Sequence, residues 1–157
     1  SRRGNAQCRG GSIMKLYTVG FTEKNAEQFF SKLKQAGITR IIDTRLNNVS
    51  QLAGFTKKDD LRFFAKEILG VDYVHIPSLA PTKDILDAYK KDGGDWDTYE
   101  RKFNSLIGSR HIESTLDKDT LDGACLLCSE PTPHHCHRRL VAEYLREHWG
   151  NVEIKHL

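Results

Sequence analysis

The chain has 157 residues, 38% of them apolar and 29% charged, the make-up of one globular domain that buries a core without needing disulfides or metal. No apolar run approaches the roughly 18 residues of a membrane span, and the polar start lacks the apolar segment of a secretory signal. Membrane, collagen-like and wholly disordered classes therefore fall away. The formal charge of +3 is carried by Arg2, Arg3 and Arg9; without them 21 basic residues face 21 acidic ones. The body thus lacks the overall basic signature of a nucleic-acid binder.

Residues 1–13 carry Gly, Ser and Arg without periodicity and read as a disordered arm or an appended expression leader, with a basic arm touching nucleic acid as the alternative. Lys15–Val19 is a strand-like run closed by Gly20. Asn25 and Gln28 form a capping-box pattern before Ala26, Phe29, Phe30 and Leu33 at helical spacing, and Gly37 ends that helix. Arg40–Asp43 reads as the second strand, followed by a long polar loop, Thr44–Phe55. Thr56 and Asp59 suggest a second cap, ahead of a stripe from Leu61 to Leu69 and a stop at Gly70. Asp72–Ile76 is the third strand. Helices are expected over Thr82–Lys91, Trp96–Ile107 and His111–Leu116. The continuous apolar run Ala124–Cys128 is that of a strand buried on both faces. After the loop SEPTPHH, Thr132 as cap and Pro133 at the first helical position predict a helix whose buried face holds His137, Leu140, Val141 and Tyr144. Val152–His156 is the last strand. This alternation predicts a single α/β domain over residues 14–157, a mainly parallel five-stranded, Rossmann-like sheet flanked by helices.

Ligands of open parallel sheets bind at the carboxyl ends of the strands. The residues there are Gly20 and Thr22 after the first strand, Asp43 and Arg45 at the second, His75 and Ser78 after the third, and Cys128, Glu130 and Cys136-His137-Arg138 after the fourth. Arg45 suits a carboxylate or phosphate, or else an internal salt bridge with Asp43. Cys128 near a helix start suits a nucleophilic thiolate, or else a small buried hydrophobe. Glu130 needs donors, with Arg45 and Arg138 as candidates. His137 is a proton carrier or a satisfied core residue. Arg138 near a helix N-terminus opposes the dipole unless an anion sits beside it.

Without a signal the chain is expected in the cytoplasm, where thiols stay reduced, so Cys125, Cys128 and Cys136 suggest chemistry, metal or burial before a disulfide. A zinc knuckle of these three with His137 is disfavoured because Cys125 and Cys128 would point to opposite faces of a strand. Five intervening residues after Cys128 lead to His134 and not to the arginine of a cysteine-phosphatase loop. The sequence leaves the cofactor unknown, and neither a nucleotide-binding glycine fingerprint nor a phosphate-loop lysine motif is present.

The segments YTVGFT at Tyr17–Thr22, IIDTRLNNVS at Ile41–Ser50, GFTKKDDL at Gly54–Leu61, YVHIPSLAP at Tyr73–Pro81 and LLCSEPTPHHCHRRLVAEYL at Leu126–Leu145 resemble the domain-of-unknown-function family numbered 488. The resemblance implies an α/β domain and no settled activity. It departs where the family often has His-Ser, here Phe21-Thr22, and Asp-Val-Arg with a nearby proline, here Asp43-Thr44-Arg45 and Asn48.

The expectation is an enzyme or enzyme-like domain whose pocket takes an anionic small molecule, a nucleotide or a nucleic-acid end. Arg45 and Arg138 would clamp the anion, with Glu130 or Asp43 as general base and Cys128 or His137 as nucleophile or proton carrier. Gly20, Thr22, Asn48 and Ser50 would contact the ligand. The rivals are a non-catalytic binding module with a structural charge cluster, and the Cys/His metal site.

Overall fold

A computed structural model describes residues 13–48 and 54–157. Its five strands are β1 (Met14–Gly20), β2 (Arg40–Asp43), β3 (Asp72–His75), β4 (Ala124–Cys128) and β5 (Val152–His156). They form one all-parallel sheet in the order β3-β2-β4-β1-β5. The helices are α1 (Ala26–Ala36), α2 (Lys58–Phe64, running on through Ala65–Leu69), α3 (Lys83–Lys90), α4 (Trp96–Ser109), α5 (Ile112–Thr115), α6 (Lys118–Leu121) and α7 (His137–Trp149). The α/β class and the parallel sheet are as expected. None of the described helices is long and apolar enough to cross a membrane.

Local chemistry accounts for several boundaries. The Asn25 side chain accepts from Gln28 N while Gln28 Oε1 accepts from Asn25 N, and Gly37 closes α1 at φ 70°. Two boundaries differ from expectation. Thr56 does not cap α2: it lies buried in the turn Gly54–Thr56, and the helix starts after Lys57 with no side-chain cap. Thr132 and Pro133 do not start α7, which begins at His137 after Cys136.

Burial of β4 at all five positions places it centrally and explains its unbroken apolar run. Alternation then divides the core. Leu16, Ile42 and Leu126 pack against Phe103, Ile107, Val141 and Leu145 on the α4–α7 face. Val19, Ile41, Cys125 and Leu127 pack against Phe29, Leu33 and Leu61 on the α1–α2 face. The chain leaves β1 over the latter face and leaves the adjacent β4 over the former. Their carboxyl ends, Gly20 and Cys128, face each other in register, and a crevice opens where the two connections diverge.

Candidate functional site

The crevice requires a residue without a side chain at Gly20. A Cβ there would lie 1.6 Å from the Glu130 carbonyl oxygen and 2.8 Å from Arg138 Nη1. The bare backbone lets the segment after β4 fold back over β1, where Thr22 N donates to Ser129 O at 3.0 Å. Arg138, from the first turn of α7, holds that segment from beneath. Its Nη1 donates to Glu130 O at 2.7 Å and to Cys128 Sγ at 3.1 Å, and its Nε donates to Thr18 Oγ1 at 3.2 Å.

Arg138 is 1% exposed. Burial pushes its pKa down to about 10, with nearby Cys125 and Glu130 opposing the fall, so it stays cationic at neutral pH. Among the described residues no carboxylate lies within ion-pair distance of it. The Glu130 carboxylate instead pairs with Lys90, which corrects the expectation that Arg45 or Arg138 would serve it. Besides the Glu130 carbonyl and the Thr18 hydroxyl, Arg138 touches the Cys128 sulfur.

Cys128 and Cys136 are joined as a disulfide, contrary to the expectation of reduced thiols. Cys125 points to the opposite face of β4, packed with Val19 and Leu127, where burial raises its thiol pKa. Cys125 and Cys128 are thus separated by strand alternation, and among the described residues no three His, Cys, Asp or Glu side chains gather in a metal-binding group.

Asp43 and Arg45 form the internal pair. Arg45 Nε and Nη2 donate to the two Asp43 carboxylate oxygens at 2.9 and 2.8 Å, and Arg45 N donates to Oδ1 at 3.0 Å. Tyr73 Oη donates to Asp43 Oδ2 at 2.5 Å, and burial together with Asp43 raises the phenol pKa. Arg45 Nη2 also donates to Thr56 O at 2.6 Å, while the guanidinium lies over the Phe21 ring. Asn48, buried, donates to Tyr73 Oη at 3.1 Å. Asp43 is fully buried and takes four donors, so its role is to brace the start of the 44–48 segment.

His137 is fixed by the same segment. Its Nε2 lies 2.7 Å from Thr44 O and 3.1 Å from Thr44 Oγ1, whose own hydroxyl donates to Leu127 O at 2.8 Å. A carbonyl only accepts, so Nε2 carries the proton and Nδ1 keeps the lone pair. Burial pushes the His137 pKa down to about 4, leaving a neutral ring at physiological pH.

A cavity of about 280 Å³ opens above these groups. Arg45, Cys128, Glu130 and His137 line it, as do Lys90 and Cys136. Phe21, Tyr89, Trp96 and Tyr99 form its apolar wall. A run of stacked rings, His134–His135–Trp96–Tyr99–Phe103, ties the loop before Cys136 to α4. Counting lining residues and their direct partners, Arg45, Lys90 and Arg138 oppose Asp43 and Glu130, one positive charge in surplus. Of the predicted residues, Gly20, Asp43 and Arg138 stand behind the cavity wall, Asn48 and Thr22 brace flanking segments, and Ser50 falls outside the described residues. Lys90 and the Tyr89–Trp96–Tyr99 wall were not anticipated. The aromatic spacing in α4 reads as ordinary core packing, and nothing near Lys90 in sequence points to Glu130.

Comparison with curated proteins and with solved structures returns no match to the chain. The family model described as "Domain of unknown function DUF488" matches residues 25–145, which include β2, β3, β4, most of α7 and every lining residue of the cavity except Phe21. The chain therefore belongs to the DUF488 family.

Proposed function

We propose that this domain is a thiol-dependent enzyme acting on an anionic ligand such as a nucleotide, a nucleic-acid end or another phosphorylated molecule. The observation that carries this reading is Arg138, a buried cation with no carboxylate beside it among the described residues and with Cys128 Sγ at 3.1 Å. A buried guanidinium needs a counter-charge, and a thiolate supplies one. In the reduced protein Cys128 is therefore the nucleophile and Arg138 the group that holds it ionised. His137, held neutral with Nε2 on Thr44, offers Nδ1 as a hydrogen-bond acceptor. Arg45 and Lys90 are the cations on the cavity wall that the anionic part of the ligand would meet, each in place of part of its present ion pair, and the Phe21, Tyr89 and Trp96 wall accommodates a flat ring. Asp43, with four donors on its carboxylate, positions Arg45.

Alkylation tests the nucleophile. In reduced Cys136→Ser protein, the rate at Cys128 should rise through a midpoint below pH 7, against about 8.5 for an ordinary thiol. A midpoint at the ordinary value overturns the reading. Thermal melting of reduced protein against a panel of nucleotides and phosphorylated metabolites tests the ligand. A true ligand at 100 times its Kd stabilises by about 2.7 kcal/mol, in wild type and in Cys128→Ser alike. No shift at millimolar concentrations removes the phosphorylated-ligand assignment.

A further inference from the structure

The structure places a second sulfur at the same point, and that carries a further activity. We infer that Cys128 and Cys136 form a redox-active dithiol–disulfide pair that accepts two electrons from small thiols and thereby unmasks the Cys128 nucleophile. The inference rests on the thiolate reading of Cys128 above. Both residues line the cavity at 1% and 2% exposure, so the cavity is the side from which the bond between them is approached. They approach from different elements: Cys128 ends β4, and Cys136 precedes α7 beyond a loop held by the His135–Trp96 stack and by Arg139, which donates to Pro133 O and His134 O. Arg138 breaks the symmetry of the pair, since its Nη1 donates to Cys128 Sγ.

The chemistry follows from that asymmetry. A small thiol loses its proton to water, and its thiolate attacks Cys136 Sγ. The bond between the two cysteine sulfurs breaks, and Cys128 leaves as a thiolate beside Arg138. A second thiolate attacks the small-molecule sulfur of the mixed disulfide, and Cys136 leaves and takes up a proton. Two thiols have become one disulfide, and the protein has gained two electrons and one proton. A leaving thiolate of lowered pKa departs faster, and a stabilised reduced form makes the disulfide the more oxidising. A buried cation left without a counter-charge in the oxidised state is the physical source of both effects.

The test uses the full chain carrying Cys8→Ser, leaving Cys125, Cys128 and Cys136. It is equilibrated in graded ratios of reduced to oxidised glutathione, quenched in acid, denatured, labelled with maleimide and weighed. Three labels are expected at the reducing end and one at the oxidising end, in a single transition, with peptide mapping placing the lost pair at 128 and 136. Arg138→Leu should lower the equilibrium constant for reduction about tenfold, a midpoint about 30 mV more negative, and Arg138→Lys should recover part of it. Three labels at every ratio, or only single glutathione adducts, overturn the inference, and this result needs no cavity variant to fold. The two readings fail differently. If Cys128 in Cys136→Ser keeps its low alkylation midpoint while the pair never closes, the redox inference alone falls. If that midpoint is ordinary, the thiolate reading falls and the redox inference with it.

Discussion

Gly20→Ala is the sharpest perturbation available without touching a reactive group. Its Cβ would sit 1.6 Å from the Glu130 carbonyl oxygen and 2.6 Å from the carbonyl carbon. To reach an ordinary contact of 3.4 Å the carbonyl must retreat by about 1.8 Å, and it cannot swing aside as a flexible side chain would. The same movement pulls Glu130 O away from Arg138 Nη1, a 2.7 Å bond to a buried cation. Overpacking costs about 1–3 kcal/mol, and an unsatisfied buried donor costs about 1–3 kcal/mol more. The combined loss of about 2–6 kcal/mol is a large part of the 5–15 kcal/mol typical of a domain and corresponds to a fall in Tm of roughly 5–20 °C. Urea denaturation at neutral pH measures it, with Gly108→Ala as the control. Gly108 lies inside α4 with only Tyr144 Oη at 4.0 Å, so an alanine there should stabilise by about 0.4–1 kcal/mol. A Gly20→Ala protein within 1 kcal/mol of wild type would refute the close approach of the two backbones, and with it the geometry of the crevice.

Other outcomes follow from the same network. Tyr73→Phe removes a donor from the buried Asp43 carboxylate and an acceptor from Asn48, and should cost about 1–3 kcal/mol in urea denaturation. Thr18→Val strips Arg138 Nε of its acceptor and should destabilise by a similar amount, about 1–3 kcal/mol, while a neutral result would show that the guanidinium is satisfied elsewhere. His137 gives a pH signature. The unfolded ring binds a proton below 6.5 that the folded ring refuses until about 4, so the stability is complete above pH 6.5 and is lost as pH falls toward 4. That loss amounts to about 3 kcal/mol, and His137→Gln, which keeps a donor for Thr44 O, should flatten the slope in that window. An unchanged slope would place the acid sensitivity at other groups.

The α/β order, the burial of β4 and the capping of α1 were legible in the sequence because each rests on short-range physics. Residues three or four apart share a helix face, alternate residues share a strand face, and Asn25 reaches a backbone amide three positions on. Strand alternation also separated Cys125 from Cys128 correctly, for the same reason. The Asp43–Arg45 pair was readable as one of two alternatives. Its choice depended on Tyr73 and Thr56, whose neighbourhood sequence spacing does not encode.

What only tertiary structure decided lies after β4. Thr132 and Pro133 carry a sound local helix-start signal, yet α7 begins at His137. The segment is held instead by Thr22, by Arg138 and Arg139 reaching back to its carbonyls, by the stacking of His135 on Trp96 and by the Cys128–Cys136 link. Those contacts span up to about a hundred residues of chain, and their combined energy exceeds the roughly 1 kcal/mol of a helix cap. Lys90 meets Glu130, and Arg138 meets Cys128, for the same reason. Sequence determined which groups stand at strand ends; the crossing of the connections after β1 and β4 determined which of them touch.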